Sequence, residues 1–216
     1  METLTEDLDS DSSRAVKETG IIFRPEMVRA ILEGKKMMTR RVVKPQPVDH
    51  HWKYLPGFIE YWTSITCSDG VYWRLNWKIP QNAESANYIR CPHGQPGDRL
   101  WVRETWAAQH AFDGHSPAFI KVGARFWYKA SLDGSSGLSW RSPIHMPRWA
   151  SRLTLEITDI RVEKLQDISE EDAREEGVYD VNWGYRKTFI RFWDSLHGEG
   201  SWNLNPFCWC ISFKVL

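Results

Sequence analysis

The spacing of apolar residues at the start of the chain predicts a strand, a short helix and a second strand. Residues 21–23 form an apolar run, and Pro25 then stands where proline favours the first turn of a helix. Residues 27, 28, 31 and 32 are apolar and fall on one face of that helix. Gly34 is a residue type that ends helices in the left-handed conformation, so we expect the chain to turn there and extend again from Arg41.

The middle of the chain predicts a hairpin and further short strands. Residues 58–66 and 71–78 are rich in β-branched and aromatic side chains and flank a Ser-Asp-Gly turn, which is typical of a β-hairpin. Residues 99–106 and 124–130 predict two single strands.

The C-terminal part begins with the longest strand pattern and continues with two helices. Residues 152–165 alternate apolar and polar side chains, with a change of phase at residues 158–159 that predicts a bulge. Ser169 is a good N-cap for a helix that ends at Gly177, and residues 185–196 predict a longer helix.

A final strand over residues 207–215 completes an irregular order of short strands and helices. This order predicts an α+β fold around a small barrel rather than a parallel βαβ sheet. Residues 1–19 carry six acidic side chains against two basic ones, and we expect them to form a disordered or loosely docked tail. Residues 20–216 are then a single domain.

Charge and hydropathy narrow the classes of partner. The chain of 216 residues has 28 basic and 28 acidic side chains, which disfavours a broad positive face for duplex DNA. A small nucleotide or one short RNA segment held at a single place remains compatible with this balance. No apolar run is long enough to predict a membrane span or a signal peptide, so we expect a cytoplasmic protein of undetermined oligomeric state.

The four cysteines form no paired C-x-x-C motif, which favours free thiols in a reducing compartment. A zinc site is the alternative, and its ligands would be Cys91, His93, Cys208 and Cys210. The C-x-H and C-x-C spacings suit zinc poorly, so we expect no metal and no other cofactor.

Five polar side chains that could bind or react are concentrated in the eight residues from Gly34 to Arg41. On a strand, Thr39 and Arg41 point to one face and Arg40 to the other. Lys36 lies in the turn and can bend toward the face of Thr39, whereas Lys35 and Arg40 are expected to face water. From spacing alone, the cluster is either a solvated basic turn, an anion-binding patch or the edge of a catalytic site.

Four segments together resemble the ASCH domain family. They are residues 34–41, the Pro-Gly-Asp-Arg-Leu-Trp-Val run at 96–102, the strand and helix at 153–177, and the last strand, ending at residues 213–216. The resemblance, which extends to longer members from phages and prophages, implies a PUA-like small mixed β-barrel flanked by short helices. It also implies insertions at about 45–95, containing the hairpin, and at about 107–140.

The resemblance implies an activity as well, because bacterial members of this family hydrolyse N4-acetylcytidine. Their lysine, threonine and glutamate fall on Lys36, Thr39 and Glu176 of this chain. In amide hydrolysis Thr39 would be the nucleophile and Lys36 its base, provided that the lysine pKa is lowered. Glu176 would orient Lys36 or carry a proton to the leaving nitrogen.

Further residues are expected to contact the substrate, namely Lys35, Arg40, Arg41 and Glu104. Glu104 lies between Val102 and Trp106 on a predicted strand and could point into the opening of the barrel, or form a salt bridge with Arg99 or Arg103. Two other functions stay open: a non-catalytic RNA or nucleotide-binding module whose basic cluster holds phosphate, and an RNA nuclease.

Overall fold

The computed structural model describes residues 14–46, 59–67, 70–77, 88–120, 123–132, 137–179 and 182–216. The strands are β1 (Glu18–Ile22), β2 (Met38–Val42), β3 (Ile59–Cys67), β4 (Gly70–Trp77), β5 (Tyr88–Ile89), β6 (Arg99–Arg103), β7 (Trp106–Ala108), β8 (Phe126–Tyr128), β9 (Thr154–Lys164) and β10 (Phe207–Val215). The α-helices are α1 (Pro25–Leu32), α2 (Glu170–Glu175) and α3 (Tyr185–His197). Short 3-10 helices span His110–Phe112, Pro117–Phe119, Lys129–Ser131, Pro143–His145, Arg148–Ala150, Leu165–Asp167 and Ser201–Leu204. The fold is therefore of the mixed α+β class, as predicted.

Five strands form the main sheet in the order β1-β6-β9-β10-β2. The β1–β6 pair is parallel, and the other pairs are antiparallel. Opposite β9, Ser212 pairs with Asp159 and Phe213 with Ile157, so Thr158 is an extra residue and the predicted bulge is confirmed. Among the described strands the sheet stays open, with β1 and β2 as its two edges.

Helix α1 connects the two edge strands of the sheet along the chain, and a side-chain hydrogen bond also joins them. Arg41 on β2 donates from Nη2 to the carbonyl oxygen of Ile22 on β1 at 2.8 Å. The apolar face of α1, with Val28 and Ile31 fully buried, packs in one core cluster with Leu155 of the sheet. Burial of such side chains stabilises the fold by roughly 1.5–3 kcal/mol each.

A second apolar cluster holds α2 and α3 together and includes Leu165, Ala173, Phe189, Trp193 and Trp202. The predicted cap of α2 is confirmed, because the hydroxyl of Ser169 accepts a hydrogen bond from the amide of Asp172 at 3.0 Å. Both predicted C-terminal helices are thus present.

The predicted hairpin is confirmed as the antiparallel pair of β3 and β4, while its turn at residues 68–69 lies outside the described residues. The predicted strand at 99–106 is divided into β6 and β7. The predicted strand at 124–130 is shorter, because a 3-10 helix begins at Lys129. β7 pairs with β8 over a third apolar cluster that contains Trp106 and Met146.

The predicted tail is described from residue 14 onward. β1 begins at Glu18, and Arg14 forms a 2.6 Å ion pair with the buried carboxylate of Asp98. The amide of Lys17 donates to the same carboxylate at 3.0 Å, so residues 14–19 are docked on the domain. Of the helices in the described part of the chain, none is long and apolar enough to cross a membrane.

Candidate active site

The turn after α1 places Lys36 at the end of the sheet. Gly34 has a φ of +69°, so the predicted left-handed end of the helix is confirmed. The amides of Lys35 and Lys36 both donate to the carbonyl oxygen of Ala30, at 2.8 and 3.0 Å. These bonds fold the chain back over the last turn of α1 and fix the direction in which β2 leaves.

The end of α2 meets this turn at close range. Lys36 and Glu176 form an isolated antiparallel bridge, and the amide of Met37 donates to the carbonyl oxygen of Glu175 at 2.9 Å. Gly177 has a φ of +77°, and a Cβ atom there would lie 2.6 Å from Cβ of Lys36. Only glycine permits both this conformation and this approach.

An ion pair between Lys36 and Glu176 is buried where the two segments meet. Nζ of Lys36 donates to Oε2 of Glu176 at 2.8 Å and to its main-chain carbonyl oxygen at 2.7 Å. The exposed fractions of the two side chains are 2% and 4%. Burial lowers the pKa of Lys36, and the charge and hydrogen bond of Glu176 oppose this effect.

Thr39 is buried on β2 and lines the same cavity as Lys36 and Glu176. Among the described residues the Thr39 hydroxyl has no hydrogen-bond partner, which leaves it available to a molecule in the cavity. The cavity measures about 290 Å³ and lies between the edge strands and α3. It is lined by Ile22, Phe23, Arg24, Met27, Lys36, Thr39, Arg40, Arg41, Glu176, Phe189, Phe192, Trp193, Leu196 and His197.

Arg40 is buried, so the prediction that it faces water is wrong. Its guanidinium contacts Asp172 at 2.6 Å and Glu176 at 3.5 Å, and its side chain is 0% exposed. Strand alternation assigned Arg40 to the face opposite Arg41, yet Arg40 also lines the cavity, and α2 brings Asp172 against its guanidinium. Arg40 therefore holds the far side of the Glu176 carboxylate.

Arg41 lines the cavity, as the strand alternation predicted. Besides its bond to Ile22, its guanidinium lies over the ring of Phe23 at 5.1 Å. Its Nε is buried and has no partner among the described residues. Burial lowers the pKa of Arg41, and the charge of Glu176 opposes that effect.

Two other expected substrate contacts lie away from the cavity. Lys35 is exposed and pairs with Glu33 at 2.6 Å. Glu104 is buried and accepts hydrogen bonds from Arg152 at 2.8 and 3.1 Å, so the predicted pairing with Arg99 or Arg103 is wrong. Glu104 follows Arg103, the last residue of β6, and its buried carboxylate is occupied by Arg152.

Sequence reasoning missed two groups of residues that the fold brings to this site. Helix α3 contributes one wall of the cavity, although the apolar spacing of this segment indicated only a core helix. The wall consists of Phe192, Trp193, Leu196 and His197. Asp172 holds Arg40, although its position in the first turn of α2 suggested only an interaction with the helix dipole.

The thiols of Cys91, Cys208 and Cys210 are free and buried. Burial raises the pKa of Cys91 to about 11 and that of Cys208 to about 12. Within the described residues, no three metal-binding side chains lie together.

Lys36, Thr39 and Glu176 thus bring an amine of lowered pKa, a free hydroxyl and a carboxylate to one cavity. These are groups from which acyl transfer can be built. Comparison of the chain with family models, with curated proteins and with solved structures found no match in any of the three.

Proposed function

We propose that the protein is an amidohydrolase that removes an acyl group from the exocyclic nitrogen of a modified cytosine nucleoside such as N4-acetylcytidine. The observation that carries this proposal is that Lys36, Thr39 and Glu176 line one cavity, with the Lys36–Glu176 pair buried. We also propose that the open sheet corresponds to the PUA-like barrel of the ASCH family, with the bond from Arg41 to Ile22 across its gap.

The first step is attack of the Thr39 hydroxyl oxygen on the acyl carbonyl carbon. Transfer of the Lys36 proton to Oε2 of Glu176 within the ion pair gives the neutral amine, which accepts the hydroxyl proton, and the lowered pKa of the buried lysine favours this form. The ammonium formed on Lys36 then stabilises the negative oxygen of the tetrahedral intermediate. Glu176 holds Nζ in place through the 2.8 Å hydrogen bond.

The second step is collapse of the intermediate, in which the bond between the acyl carbon and N4 breaks. The proton on Lys36 passes to N4, so cytidine leaves as a neutral amine and the acyl group remains on Thr39 as an ester. Water then attacks the ester, again giving its proton to Lys36. The proton returns to the Thr39 oxygen as the carboxylic acid departs.

The size and lining of the cavity fit one nucleoside. A volume of about 290 Å³ is at the lower limit of small-molecule sites, which run from roughly 300 to 1,000 Å³. Phe23, Phe192 and Trp193 give the cavity aromatic walls against which a base can pack. Arg41 offers a donor to a polar group of the ligand because its Nε has no partner within the described residues.

The direct test is incubation of the full chain with N4-acetylcytidine, with cytidine and acetate measured by chromatography. Lys36→Met, Thr39→Val and Glu176→Gln are each expected to lower kcat/KM by about a hundredfold or more. Glu175→Gln is the matched control, because it removes the neighbouring carboxylate from outside the cavity lining. Full activity of Lys36→Met and Thr39→Val in folded protein would remove the basis of the assignment.

A non-catalytic RNA or nucleotide-binding module is the second candidate, favoured by the positively charged Arg24 and Arg41 in the cavity lining. It predicts binding of cytidine nucleotides that weakens with salt while the acyl bond stays intact. Labelled RNA in the same incubations tests the nuclease alternative, which requires shortened products.

A further inference from the structure

Positive charge is concentrated where the cavity opens to solvent. Arg24 precedes α1, is exposed and lines the cavity, and Arg41 lines it from β2. Lys44 follows β2 and is also exposed. We call Arg24, Arg41 and Lys44 the entrance cations. The chain as a whole has no net charge, so this concentration is local.

No carboxylate forms an ion pair with the entrance cations among the described residues. The neighbouring cations differ, because Lys35 is paired with Glu33 and Arg40 with Asp172. The Nε of Arg41 is buried and has no partner among the described residues, and because Arg41 lines the cavity this donor is available to an acceptor on a bound molecule.

His197 is a cavity-lining residue whose pKa is affected by all three entrance cations. It lines the cavity from the end of α3, and its ring packs against that of Trp193 with centroids 4.2 Å apart. Burial lowers the pKa of His197, and the charges of Arg41, Lys44 and Arg24 lower it further, in that order. Arg24 and Arg41 share the cavity lining with His197, and Lys44 adds its charge from outside the lining.

We propose that the entrance cations bind a phosphate ester, so that the substrate is an acylated cytidine nucleotide rather than the free nucleoside. This inference rests on the proposed function for the identity of the base. With the base against Lys36 and Thr39, the sugar and its phosphate extend toward solvent, where Arg24 and Arg41 of the cavity lining provide charge-assisted donors. Lys44 does not line the cavity and adds positive charge from its exposed position after β2. The only carboxylate that lines the cavity within the described residues is Glu176, which Lys36 and Arg40 already engage.

Two sources of phosphate share this chemistry, a terminal monoester on a nucleotide and a diester within RNA. The full chain is assayed with N4-acetylcytidine, with its 5′-monophosphate and with a short RNA that contains one N4-acetylcytidine. We expect the monophosphate to exceed the nucleoside in kcat/KM by roughly tenfold or more. A comparable or greater advantage for the RNA would support the same phosphate site and identify its ligand as a diester.

The variant test removes two entrance cations together. Arg24→Gln/Lys44→Gln is expected to bring the kcat/KM ratio of nucleotide to nucleoside close to one. Arg125→Gln/Lys129→Gln is the matched control, since it removes the same charge from residues that do not line the cavity and should keep the ratio of the unmodified chain. Equal kcat/KM for nucleoside, nucleotide and RNA in the unmodified chain would overturn the phosphate site while leaving the amidohydrolase proposal intact.

Failure of all three substrates would instead refute the amidohydrolase proposal, and the phosphate site is then tested by binding. Calorimetric titration with cytidine 5′-monophosphate and with cytidine compares the same base with and without phosphate. Tighter binding of the monophosphate that is lost in Arg24→Gln/Lys44→Gln supports the site, and equal affinities overturn it.

Discussion

Nζ of Lys36 lies 2.8 Å from Oε2 of Glu176, across a sequence separation of 140 residues and with both side chains almost fully buried. The pair joins the turn after α1 to the end of α2, so the site and the packing of these elements depend on the same contact. Removing one partner of a buried ion pair leaves the other charge without compensation, which costs more than removing both.

A double-mutant cycle tests this dependence. Glu176→Gln removes the carboxylate paired with Lys36 and is expected to lower the free energy of unfolding by about 3 kcal/mol or more. Lys36→Met is expected to cost less, because Arg40 still contacts Glu176 at 3.5 Å. The double variant should lose at least about 1 kcal/mol less than the sum of the two, because neither charge is then left alone. Urea unfolding of the four proteins measures the coupling, and strictly additive losses would mean that the two side chains do not act as a pair.

Gly177 provides a second test of the contact between the two segments. Gly177→Ala adds a methyl group 2.6 Å from Cβ of Lys36 at a φ of +77°. Gly34→Ala is the matched control, since it has a φ of +69° and meets nothing within 4 Å. The control should cost about 1–2 kcal/mol of unfolding free energy for the left-handed backbone alone.

Gly177→Ala should cost at least about 1 kcal/mol more than Gly34→Ala and should also lower amidase activity, because Lys36 must move. The two free energies come from urea unfolding, and kcat/KM is measured on N4-acetylcytidine. Equal losses of stability with unchanged activity would show that the close approach of Gly177 has no role.

Local signals predicted most elements of the fold correctly. Pro25 and Gly34 mark the limits of α1, and Ser169 caps α2, because each of these residues acts on the backbone within one helical turn. The division of the strand after Arg103 carried no comparable local signal, because it depends on how Trp106 and its neighbours pack in a separate cluster.

The same distinction applies to the candidate site. Features set by neighbouring residues were predictable from the sequence, and contacts with residues far along the chain were not. Alternation along β2 correctly placed Arg41 in the cavity lining, whereas Arg40, which it assigned to the opposite face, lines the cavity too. It could not reveal that α2, which lies far along the chain, brings Asp172 against the Arg40 guanidinium. The expectation that Lys36 turns inward while Lys35 faces water is confirmed, because the turn after α1 is a local feature of the sequence.

Arg40 and Lys35 were expected to behave alike, and the structure separates them. Arg40→Gln removes the fully buried cation from Asp172, which keeps only the partly exposed Arg161, and one of two cations from Glu176, which keeps Lys36. It should lower the free energy of unfolding by about 2 kcal/mol or more. Lys35→Gln breaks only an exposed pair and should change it by less than about 0.5 kcal/mol. Urea unfolding distinguishes the two outcomes, and similar small effects would show that the Arg40 contacts contribute nothing to stability.

The pKa of His93 makes the stability of the fold depend on pH. Burial lowers the pKa of His93 to about 4 from its ordinary value of 6.5, and the charges of Arg41 and Lys17 contribute in the same direction. In the unfolded chain His93 takes up a proton as the pH falls through about 6.5, whereas in the folded chain it resists until about 4. The unfolded state binds more protons in this window, so the free energy of unfolding falls as the pH decreases. We expect a loss of about 1–2 kcal/mol from this residue, since water screens a side chain that is partly exposed.

The loss from His93 is isolated by comparison with His93→Leu, because the carboxylates titrate in both proteins. The free energy of unfolding is measured by urea from about pH 7 to about pH 4.5. Relative to His93→Leu, the unmodified chain should be most stable near pH 7 and should lose that advantage as the pH falls, because only its unfolded state gains a proton. A difference between the two proteins that stays constant with pH would mean that His93 has the same pKa in the folded and unfolded chain. Against that outcome, Nδ1 of His93 is buried and has no hydrogen-bond partner among the described residues.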